Sequence, residues 1–427
     1  MSFSKKISVI GLGYVGLPLS LLADKKGYKV FGIDISEQKV DLLKSKKSPF
    51  KDEKIQKELL SSTIDFDTTF TKVAESDIVI ICVPTPVYEN HMPNLEPVEG
   101  AIKGIAPFLK KDQLIILEST VNPGVCEEIV IPIIEKETKF KVGKDIHLAH
   151  CPERINPGDS KWTVENINRV VGSNSEFGLK TATDFYSSII TGTIKQMGSL
   201  KEAEAVKIVE NSFRDINIAF VNELARSFDK LGIDVVNVID GAATKPFAFM
   251  PHYPGCGVGG HCIPVDPYYL IEYAKEKGFE HDFLRLARKI NNGMPEYTVE
   301  ELVWALNEKK KALNGATIAV LGVAYKKDID DYRESPSFEI IKEIQKLGGK
   351  VKIFDPYVLL KSNCESLEEA ITNVDAVVIA TNHKVFVDQL TPKYLKEKSI
   401  DVIIDGKNCL NKKSFENTSI VYKGIGR

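Results

Sequence analysis

Gly11-Leu12-Gly13-Tyr14-Val15-Gly16 stands between a strand-like run, Lys6–Ile10, and a helix-like run, Leu17–Lys26. A second strand-like run, Tyr28–Ile33, ends at Asp34. A strand, a glycine-rich turn, a helix and a second strand closed by an acidic residue form the pattern of a dinucleotide-binding unit. The glycines let the backbone approach a pyrophosphate, the helix N-terminus stabilises its charge, and the acidic residue binds ribose hydroxyls. Because Asp34 would repel a 2′-phosphate, we predict that this segment binds NAD rather than NADP.

The composition is that of an ordinary globular enzyme. The 427 residues suffice for two or three domains, 43% of them are hydrophobic and 27% are charged, and the net charge is -3. With no basic run that contains interleaved aromatics, this balance predicts neither a nucleic-acid nor a membrane partner. The amino terminus lacks the features of a signal peptide, and the seven cysteines are an odd, scattered set. We therefore expect reduced thiols and a cytoplasmic protein.

Three further apolar runs each lead directly into polar residues. They are Asp77–Val83 before Pro84-Thr85-Pro86, Leu114–Leu117 before Glu118-Ser119-Thr120, and Ile146–Ala149 before His150-Cys151-Pro152-Glu153-Arg154. Since ligands of open α/β sheets bind at the carboxyl ends of the strands, we expect these residues to line the edge where the nicotinamide lies. Pro84, Thr85 and Thr120 are accordingly predicted cofactor contacts.

A long helix is predicted between Ser199 and Gly232. This stretch contains no proline and no internal glycine, and its apolar residues recur at helical spacing. Lys207 and Asn211 are four residues apart and therefore share one face of the helix. We expect the helix to bridge two domains, and its apolar faces could also build a dimer.

The stretch Gly255–Pro267, GCGVGGHCIPVDP, is predicted to form a tight loop because glycine and proline disfavour both helix and strand. We call this stretch the cysteine loop. In it Cys262 is the candidate covalent nucleophile, and Asp266 follows four residues later. A buried, inert cysteine is the alternative. A zinc site made of Cys256, His261 and Cys262 would fit no common ligand spacing, so no metal is predicted.

A second α/β segment follows, without the glycine fingerprint. Its predicted strands are Ala316–Leu321, Val351–Phe354, Asp375–Ala380 and Val402–Ile404. Basic residues at or after strand ends suit an anionic ligand such as a diphosphate, namely Lys326, Lys327, Arg333 and Lys407. The predicted fold is therefore α/β, with two Rossmann-like doubly wound parallel-sheet domains joined by a long central helix. We place the domains at 1–195 (NAD-binding), 196–300 (central, with the cysteine loop) and 301–427 (substrate-binding).

Taken together, these motifs resemble the nucleotide-sugar dehydrogenases that act at C6 of UDP-glucose and UDP-N-acetylhexosamines. The motifs that carry the resemblance, in the family's order, are Gly11–Pro18, Glu118–Val121, Cys151–Arg154, Glu210–Asn217, Gly257–Cys262 and Arg333–Pro336. The resemblance implies a four-electron oxidation that uses two NAD molecules in sequence. It also implies a homodimer built on the central helix, and a UDP-sugar held by the carboxyl-terminal domain.

The same resemblance implies roles for individual residues. The Cys262 thiolate would attack the aldehyde formed at C6, while Lys207 and Asn211 would stabilise the oxyanion. Asp266 would help to position water and act as proton-transfer partner of Lys207. Glu153 would assist hydrolysis of the thioester, and Thr120 would orient a water there.

The resemblance further implies a set of binding residues. Arg333 would reach the NAD pyrophosphate. The implied substrate contacts are Arg154, Lys207, Asn211, Arg214, Tyr253, Gly255, Gly257, Tyr325, Lys326 and Lys407.

Two departures from the family pattern bear on the substrate. Pro157 stands where many UDP-glucose enzymes have a second glutamate, and Lys407 stands where an arginine is frequent. The run Pro152–Asp159 resembles the branch that acts on N-acetylated sugars, so UDP-N-acetylglucosamine is the first choice. UDP-N-acetylgalactosamine, UDP-N-acetylmannosamine and UDP-glucose stay open. A two-electron hydroxyacid-type dehydrogenase and a catalytically silent nucleotide-sugar-binding protein are the remaining alternatives.

Overall fold

The computed structural model of the chain describes residues 5–50, 52–88, 92–155 and 161–427. The chain forms two compact units. The first unit runs to Glu210 and includes Tyr268–Lys277, and the second comprises Asn211–Pro267 and Gly278–Arg427. Across the described ranges, no helix combines the length and the apolar character that crossing a membrane requires.

The first unit contains an eight-stranded sheet in the order β3-β2-β1-β4-β5-β6-β7-β8. The strands are β1 Lys6–Ile10, β2 Lys29–Ile33, β3 Asp65–Asp67, β4 Ile78–Ile81, β5 Leu114–Leu117, β6 His147–His150, β7 Arg169–Ser173 and β8 Ile194–Gln196. The order from β3 to β6 is that of a Rossmann fold, with the order of the strands reversing between β1 and β4. The helices are α1 Gly16–Lys25, α2 Glu37–Lys44, α3 Glu53–Ser61, α4 Glu96–Ile105, α5 Ile131–Thr138 and α6 Glu176–Ile189.

The apolar runs form this sheet because both of its faces are covered. Successive residues of β4 alternate between two cores: Ile78 and Ile80 pack in one cluster, and Val79 and Ile81 pack in the other. Such double burial is what near-continuous apolar strands of parallel sheets require.

The sequence prediction of a parallel sheet needs one correction. The strands β1 to β6 are parallel, but β7 pairs antiparallel with β6. Sequence analysis predicted no strand at Arg169–Ser173, because a run of five residues that opens with arginine gives little strand signal. The helix predicted after Cys126 is also present, but its first part, Cys126–Val130, is a π-helix.

The predicted long helix is confirmed as α7, Leu200–Leu231, which has 32 residues. It begins in the first unit and continues into the second. Between α7 and the second sheet, the chain forms the helices α8 Val235–Ala243, α9 Asp266–Glu276, α10 Asp282–Asn292 and α11 Met294–Glu308.

The second unit contains a five-stranded parallel sheet in the order β10-β9-β11-β12-β13. The elements are β9 Thr317–Leu321, α12 Pro336–Lys346, β10 Lys350–Phe354, α13 Leu367–Ile371, β11 Ala376–Ile379, α14 Lys384–Gln389, α15 Pro392–Glu397, β12 Val402–Asp405 and β13 Val421–Gly424. This is the other common doubly wound order, whose switch point lies between β9 and β11. The predicted fold class is confirmed, since both units carry doubly wound sheets.

Candidate active-site elements

The glycine turn of the first unit has the shape of a pyrophosphate cradle. Gly11 directly follows β1 and has φ at +91°, and a side chain there would lie 2.8 Å from the carbonyl oxygen of Cys82. A side chain at Gly16 would collide with the carbonyl of Gly11, whereas one at Gly13 would meet nothing within 4 Å. Gly11 and Gly16 are therefore needed for backbone packing, and Gly13 borders open space that a ligand could enter. These residues fit a dinucleotide.

Asp34 follows β2 and lies beside this turn. Its carboxylate accepts hydrogen bonds from the backbone N–H of Leu12 at 2.8 Å, from that of Ser36 at 3.0 Å and from the Lys39 ammonium at 2.6 Å. Tyr14 stacks on the ring of Phe50, with the ring centroids 4.1 Å apart. Sequence analysis did not single out Lys39 or Phe50, because neither belongs to the glycine motif.

The segments that follow β4 and β5 adjoin each other at the carboxyl edge of the sheet. Ser119 donates to the carbonyl of Val83 at 2.7 Å and so ties the two strand ends to each other. The carbonyl of Thr85 accepts a hydrogen bond from Tyr269 of α9, which is part of the same unit. Thr85 is buried, Thr120 is half-buried and Pro84 is exposed.

A buried charge cluster at the same edge was missed by sequence analysis. The Arg169 guanidinium at the start of β7 donates to Glu118 at 3.0 Å and to Glu153 at 2.7 Å. Tyr186 of α6 donates to Glu118 at 2.5 Å. Burial raises the pKa of Glu118, and the positive charge of Arg169 opposes this shift. Arg169 lies 51 residues from Glu118 and 16 from Glu153, so no local motif could have revealed the cluster.

Glu153 and Arg154, both predicted site residues, are held firmly by their neighbours. The second oxygen of Glu153 accepts the N–H groups of Arg154 and Ile155 at 2.6 and 2.7 Å. The Arg154 guanidinium binds the Glu210 carboxylate and donates to the carbonyl of Asn168 at 2.9 Å. Pro157 and the remainder of the run to Asp159 lie outside the described residues.

Helix α7 is anchored to the first unit through Glu204. This buried carboxylate accepts the N–H groups of Gly124 at 2.6 Å and Cys126 at 2.8 Å, where the π-helix begins. Cys126, His150 and Glu204 bring their donor atoms within 4.8 Å of one another. Since both oxygens of Glu204 already accept backbone N–H groups, we assign this cluster to helix anchoring. Lys207 follows on the same helix and is buried.

In the second unit, the cysteine loop lies at the carboxyl edge of the sheet. Its Cys256 N–H donates to the carbonyl of Gly406, which follows β12, at 2.8 Å, and its thiol contacts the carbonyl of Ala380, which follows β11, at 3.4 Å. The Gly260 N–H donates to the carbonyl of Arg333 at 3.0 Å. The loop therefore sits where open α/β sheets bind their ligands.

The glycines of this loop are required by close neighbours. Gly260 has φ at +90°, and a side chain there would lie 2.8 Å from the ring of Tyr325. A side chain at Gly255 would lie 3.2 Å from the carbonyl of Gly406 and 3.8 Å from the Lys407 ammonium. The structure thus places Lys407 beside Gly255 and Tyr325 beside Gly260, so both predicted substrate contacts adjoin the cysteine loop.

Cys262 ends the glycine run and is exposed, in contrast to the buried Cys256. Its carbonyl accepts the N–H of Asp266 at 2.8 Å, so that the turn 262–266 leads directly into α9. Asn211 of α7 donates its amide to the carboxylate of Asp266 at 2.5 Å, and both side chains are buried. Two predicted catalytic residues, Asn211 and Asp266, are therefore in direct contact within the second unit.

Arg333 lies beside the cysteine loop and is paired with Asp331. The guanidinium contacts the Asp331 carboxylate at 2.6 to 3.2 Å, and this hydrogen-bonded pairing raises the pKa of Arg333. Burial lowers the pKa of His261, and the charge of Arg333 lowers it further. His261 is therefore neutral near pH 7.

Four other predicted substrate contacts also lie in the second unit. Tyr253 donates to Asp240 of α8 at 2.8 Å and is exposed. Arg214 is exposed on α7, Lys326 is half-buried after β9, and Gly257 packs against Pro336.

The two units define a class of protein. The first unit has a Rossmann sheet with a dinucleotide cradle, and the second has a doubly wound sheet with an exposed thiol at its ligand-binding edge. This combination is typical of a dinucleotide-dependent oxidoreductase.

The comparison with family models gives the family. Three models of the UDP-glucose/GDP-mannose dehydrogenase family match the chain: the NAD binding domain over residues 5–190, the central domain over 201–293 and the UDP binding domain over 319–412. The chain belongs to this family of NAD-dependent nucleotide-sugar oxidoreductases.

Individual relatives are similar over nearly their whole length. A UDP-N-acetyl-D-glucosamine 6-dehydrogenase of Pseudomonas aeruginosa is 35% identical over 389 residues, which cover 89% of this chain and 91% of that protein. The solved UDP-N-acetylmannosamine dehydrogenase of Pyrococcus horikoshii is 35% identical, covers 99% of both chains and superposes with a TM-score of 0.92. An NDP-N-acetyl-D-galactosaminuronic acid dehydrogenase of Methanosarcina mazei is 34% identical, with a TM-score of 0.87 over 99% of this chain and 95% of that one.

Proposed function

We propose that the protein oxidises the C6 alcohol of a UDP-N-acetylhexosamine to the carboxylate in two NAD-dependent steps, and that UDP-N-acetylglucosamine is the substrate. The observation that carries the proposal is the exposed Cys262 in a glycine loop at the carboxyl edge of the second sheet. A two-electron dehydrogenase needs no such thiol. The relatives named above support an N-acetylated sugar, and their names divide between the gluco, manno and galacto epimers.

The chemistry is assigned to this chain's residues as follows. When bound, NAD supplies the acceptor for each of the two hydrides that leave C6. After the first oxidation, the Cys262 thiolate adds to the aldehyde carbon, and Lys207 and Asn211 stabilise the oxyanion that becomes the thiohemiacetal hydroxyl. Loss of the second hydride and the hydroxyl proton gives a thioester. Water then attacks the thioester carbon, the C–S bond breaks, and the uronic acid and the thiolate are released.

The contacts of Asn211 support its place in this scheme. The Asp266 carboxylate accepts a hydrogen bond from the Asn211 amide at 2.5 Å, which fixes the orientation of that amide. We assign Asp266 the positioning of water and the exchange of a proton with Lys207. Glu153 and Thr120 are proposed to orient the hydrolytic water, with Glu153 acting from its fixed position beside Arg169.

For binding, we propose that NAD occupies the glycine cradle, with the ribose at Asp34 and contacts from Tyr14, Val15, Pro84 and Thr85. The diphosphate of the sugar nucleotide is proposed to lie against the cysteine loop, Tyr325, Lys326 and Lys407. Arg333 is proposed to serve the NAD pyrophosphate. We keep the proposed division into an NAD-binding domain at 1–195, a central domain with the cysteine loop at 196–300 and a substrate-binding domain at 301–427.

We further propose a homodimer built on α7. Val209, Phe213 and Phe220 are 57%, 47% and 53% exposed. At 100° per residue their side chains fall within a stripe of roughly 40° on the helix, too regular an apolar face for a surface helix without a partner. We propose a cytoplasmic location and a role in polysaccharide synthesis. The location is supported by the fact that none of the seven cysteines, all of them within the described ranges, forms a disulfide.

The decisive experiment measures NADH formed per UDP-N-acetylglucosamine consumed to completion. Two NADH per sugar and a uronic acid product are expected, and Cys262→Ser should form no acid. Cys256→Ser, which changes a buried cysteine of the same loop, is the matched control. One NADH per sugar would remove the role of Cys262, and no NADH would direct the assay to the manno, galacto and glucose substrates in turn.

A further inference from the structure

The cysteine loop is tied to α7 by a side chain to which nothing above assigns a function. The backbone N–H of Gly255, the first residue of the loop, donates to the side-chain oxygen of Asn222 at 3.0 Å. Asn222 is fully buried. A buried amide oxygen that receives a backbone N–H fixes that peptide group, because breaking the bond would leave two polar groups unsatisfied.

The orientation of the Asn222 amide is dictated by its neighbours. Its nitrogen donates to the side-chain oxygen of Asn291 at 2.8 Å. The nitrogen of Asn291 donates in turn to the carboxylate of Asp215 at 2.8 Å and to its carbonyl at 3.0 Å. Since a carboxylate and a carbonyl can only accept, Asn291 must turn its nitrogen to Asp215 and its oxygen to Asn222. Asn222 must then turn its oxygen to Gly255.

A buried ion pair anchors this chain of amides. Arg288 of α10 donates to the Asp215 carboxylate at 2.6 Å, and the two side chains are 4% and 1% exposed. Both partners would be left as unpaired buried charges if the pair opened, so the arrangement resists rearrangement. A polar path of fixed direction therefore runs from Arg288 through Asp215, Asn291 and Asn222 to the backbone of the cysteine loop.

We propose that Asn222 is a positioning residue for nucleotide-sugar binding, which holds the Gly255 end of the cysteine loop in the conformation that receives the substrate. The proposal rests on the proposed function. The opposite end of the loop is held separately, by the contact of Asn211 with Asp266. Cys256 stays bonded to Gly406 when Asn222 is lost, so the loop should loosen at Gly255 without detaching.

The first test uses the near-isosteric substitution Asn222→Asp. In the ionised form, the second carboxylate oxygen would face the oxygen of Asn291, and their repulsion would push the side chain out of the position in which it holds the Gly255 N–H. The protonated acid could donate to Asn291 as the amide does and so keep that position. The charged groups on this path are Asp215 and Arg288, and both are present in the wild type and in the variant. At pH 9 we expect KM for the UDP-sugar to rise about tenfold, and the ratio to the wild-type KM to fall toward 1 at pH 6. KM for NAD should not change.

The control variant is Asn307→Asp, an exposed asparagine on α11 of the same unit, whose KM ratio should stay near 1 at every pH. If Asn222 had only a structural role, its substitution would lower the melting temperature but would not change KM for the UDP-sugar relative to KM for NAD. An unchanged KM for the UDP-sugar, a pH-independent increase or an equal increase in KM for NAD would each overturn the proposal.

The second test needs no substrate. Hydrogen exchange of the peptide Tyr253–Val258 should show at least tenfold faster exchange of the Gly255 amide in Asn222→Ala than in the wild type at the same pD. Unchanged protection would overturn the proposal, as would lost protection with an unchanged KM in both Asn222 variants. If the wild-type protein oxidises none of the four UDP-sugars, the proposed function fails while the exchange experiment still decides whether Asn222 holds the loop.

Discussion

The strongest stability prediction concerns Arg169, whose guanidinium is fully buried between Glu118 and Glu153. Arg169→Met keeps much of the side-chain volume and removes the charge, which leaves two carboxylates without their common partner. Removing one member of a buried ion pair costs about 3–5 kcal/mol. For a unit of this size each kcal/mol lowers the melting temperature by about 2–4 °C, so we expect a decrease of about 6–20 °C.

The pH dependence of this loss has a defined sign. Burial already raises the pKa of Glu118 in the wild-type protein, and Arg169 opposes that shift. In Arg169→Met the pKa of Glu118 rises further. A carboxyl whose folded-state pKa is raised contributes stability at low pH that is lost as the pH rises through that value. The melting temperature of the variant should therefore lie further below that of the wild type at pH 8.5 than at pH 5.5.

The assay is differential scanning calorimetry at both pH values, in which the transition of the first unit is identified by its shift on addition of NAD. Lys180→Met is the matched control, because its ion pair with Asp184 lies in the same unit and is exposed, and exposed ion pairs add little to stability. Adding Glu118→Gln to Arg169→Met should restore part of the loss at pH 8.5. A decrease below 2 °C, or an equal decrease at both pH values, would refute the assignment of Arg169 as the charge that balances the two carboxylates.

Three further predictions address the cofactor, the acid limit of stability and the dimer. Asp34→Ala should weaken NAD binding about tenfold or more in isothermal titration calorimetry, with little change for the UDP-sugar, since it removes the acidic residue expected at the ribose; equal affinities would move the ribose contact elsewhere. Burial lowers the pKa of His150 from 6.5 to about 3, so the stability it contributes is present above pH 6.5 and is lost as the pH falls toward 3. His150→Phe should therefore unfold at lower pH than wild type by circular dichroism, and an unchanged midpoint would contradict this. Phe213→Glu should yield monomers in light scattering while Leu60→Glu, which changes an exposed leucine of α3, should not; dimers in both would place the interface off α7.

Sequence reasoning succeeded where local chemistry was decisive. The glycine turn at Gly11, the apolar strands and the uninterrupted helix α7 follow from backbone freedom and periodicity, which neighbouring residues determine. The same holds for the cysteine loop, whose glycines and prolines exclude regular structure. From these features, the fold class and the family could be predicted without any knowledge of long-range contacts.

The residues that were missed act across long separations. Asn222 meets Asn291 69 residues away, and Glu204 meets Gly124 80 residues away. An asparagine or glutamate within a helix is ordinarily a solvated residue, so its sequence context gives no sign that it is buried and fully bonded. Only the packing of α7 against other elements turns these side chains inward.

The two sheets have the same arrangement after their first strand, but the aspartate in that arrangement has different hydrogen-bond donors in each sheet. In both, a glycine with φ near +90° directly follows the first strand of the unit, Gly11 after β1 and Gly322 after β9. The next residue donates its N–H to an aspartate that follows the neighbouring strand: Leu12 to Asp34, and Val323 to Asp355. Asp34 has three donors, one of them a lysine on a flexible side chain. Asp355 has five donors, namely four backbone N–H groups and His383.

The donors of Asp355 decide what its sheet can bind. The N–H of Asp328 donates to Nδ1 of His383, so the proton of the neutral imidazole is on Nε2, which donates to Asp355 at 3.0 Å. These hydrogen bonds outweigh burial and lower the pKa of Asp355 to about 2. Its carboxylate is wholly buried and fully bonded, so it has no capacity left to accept ribose hydroxyls as Asp34 is proposed to do. In the second unit, recognition must instead come from the loops above the strand ends, which is where the cysteine loop lies.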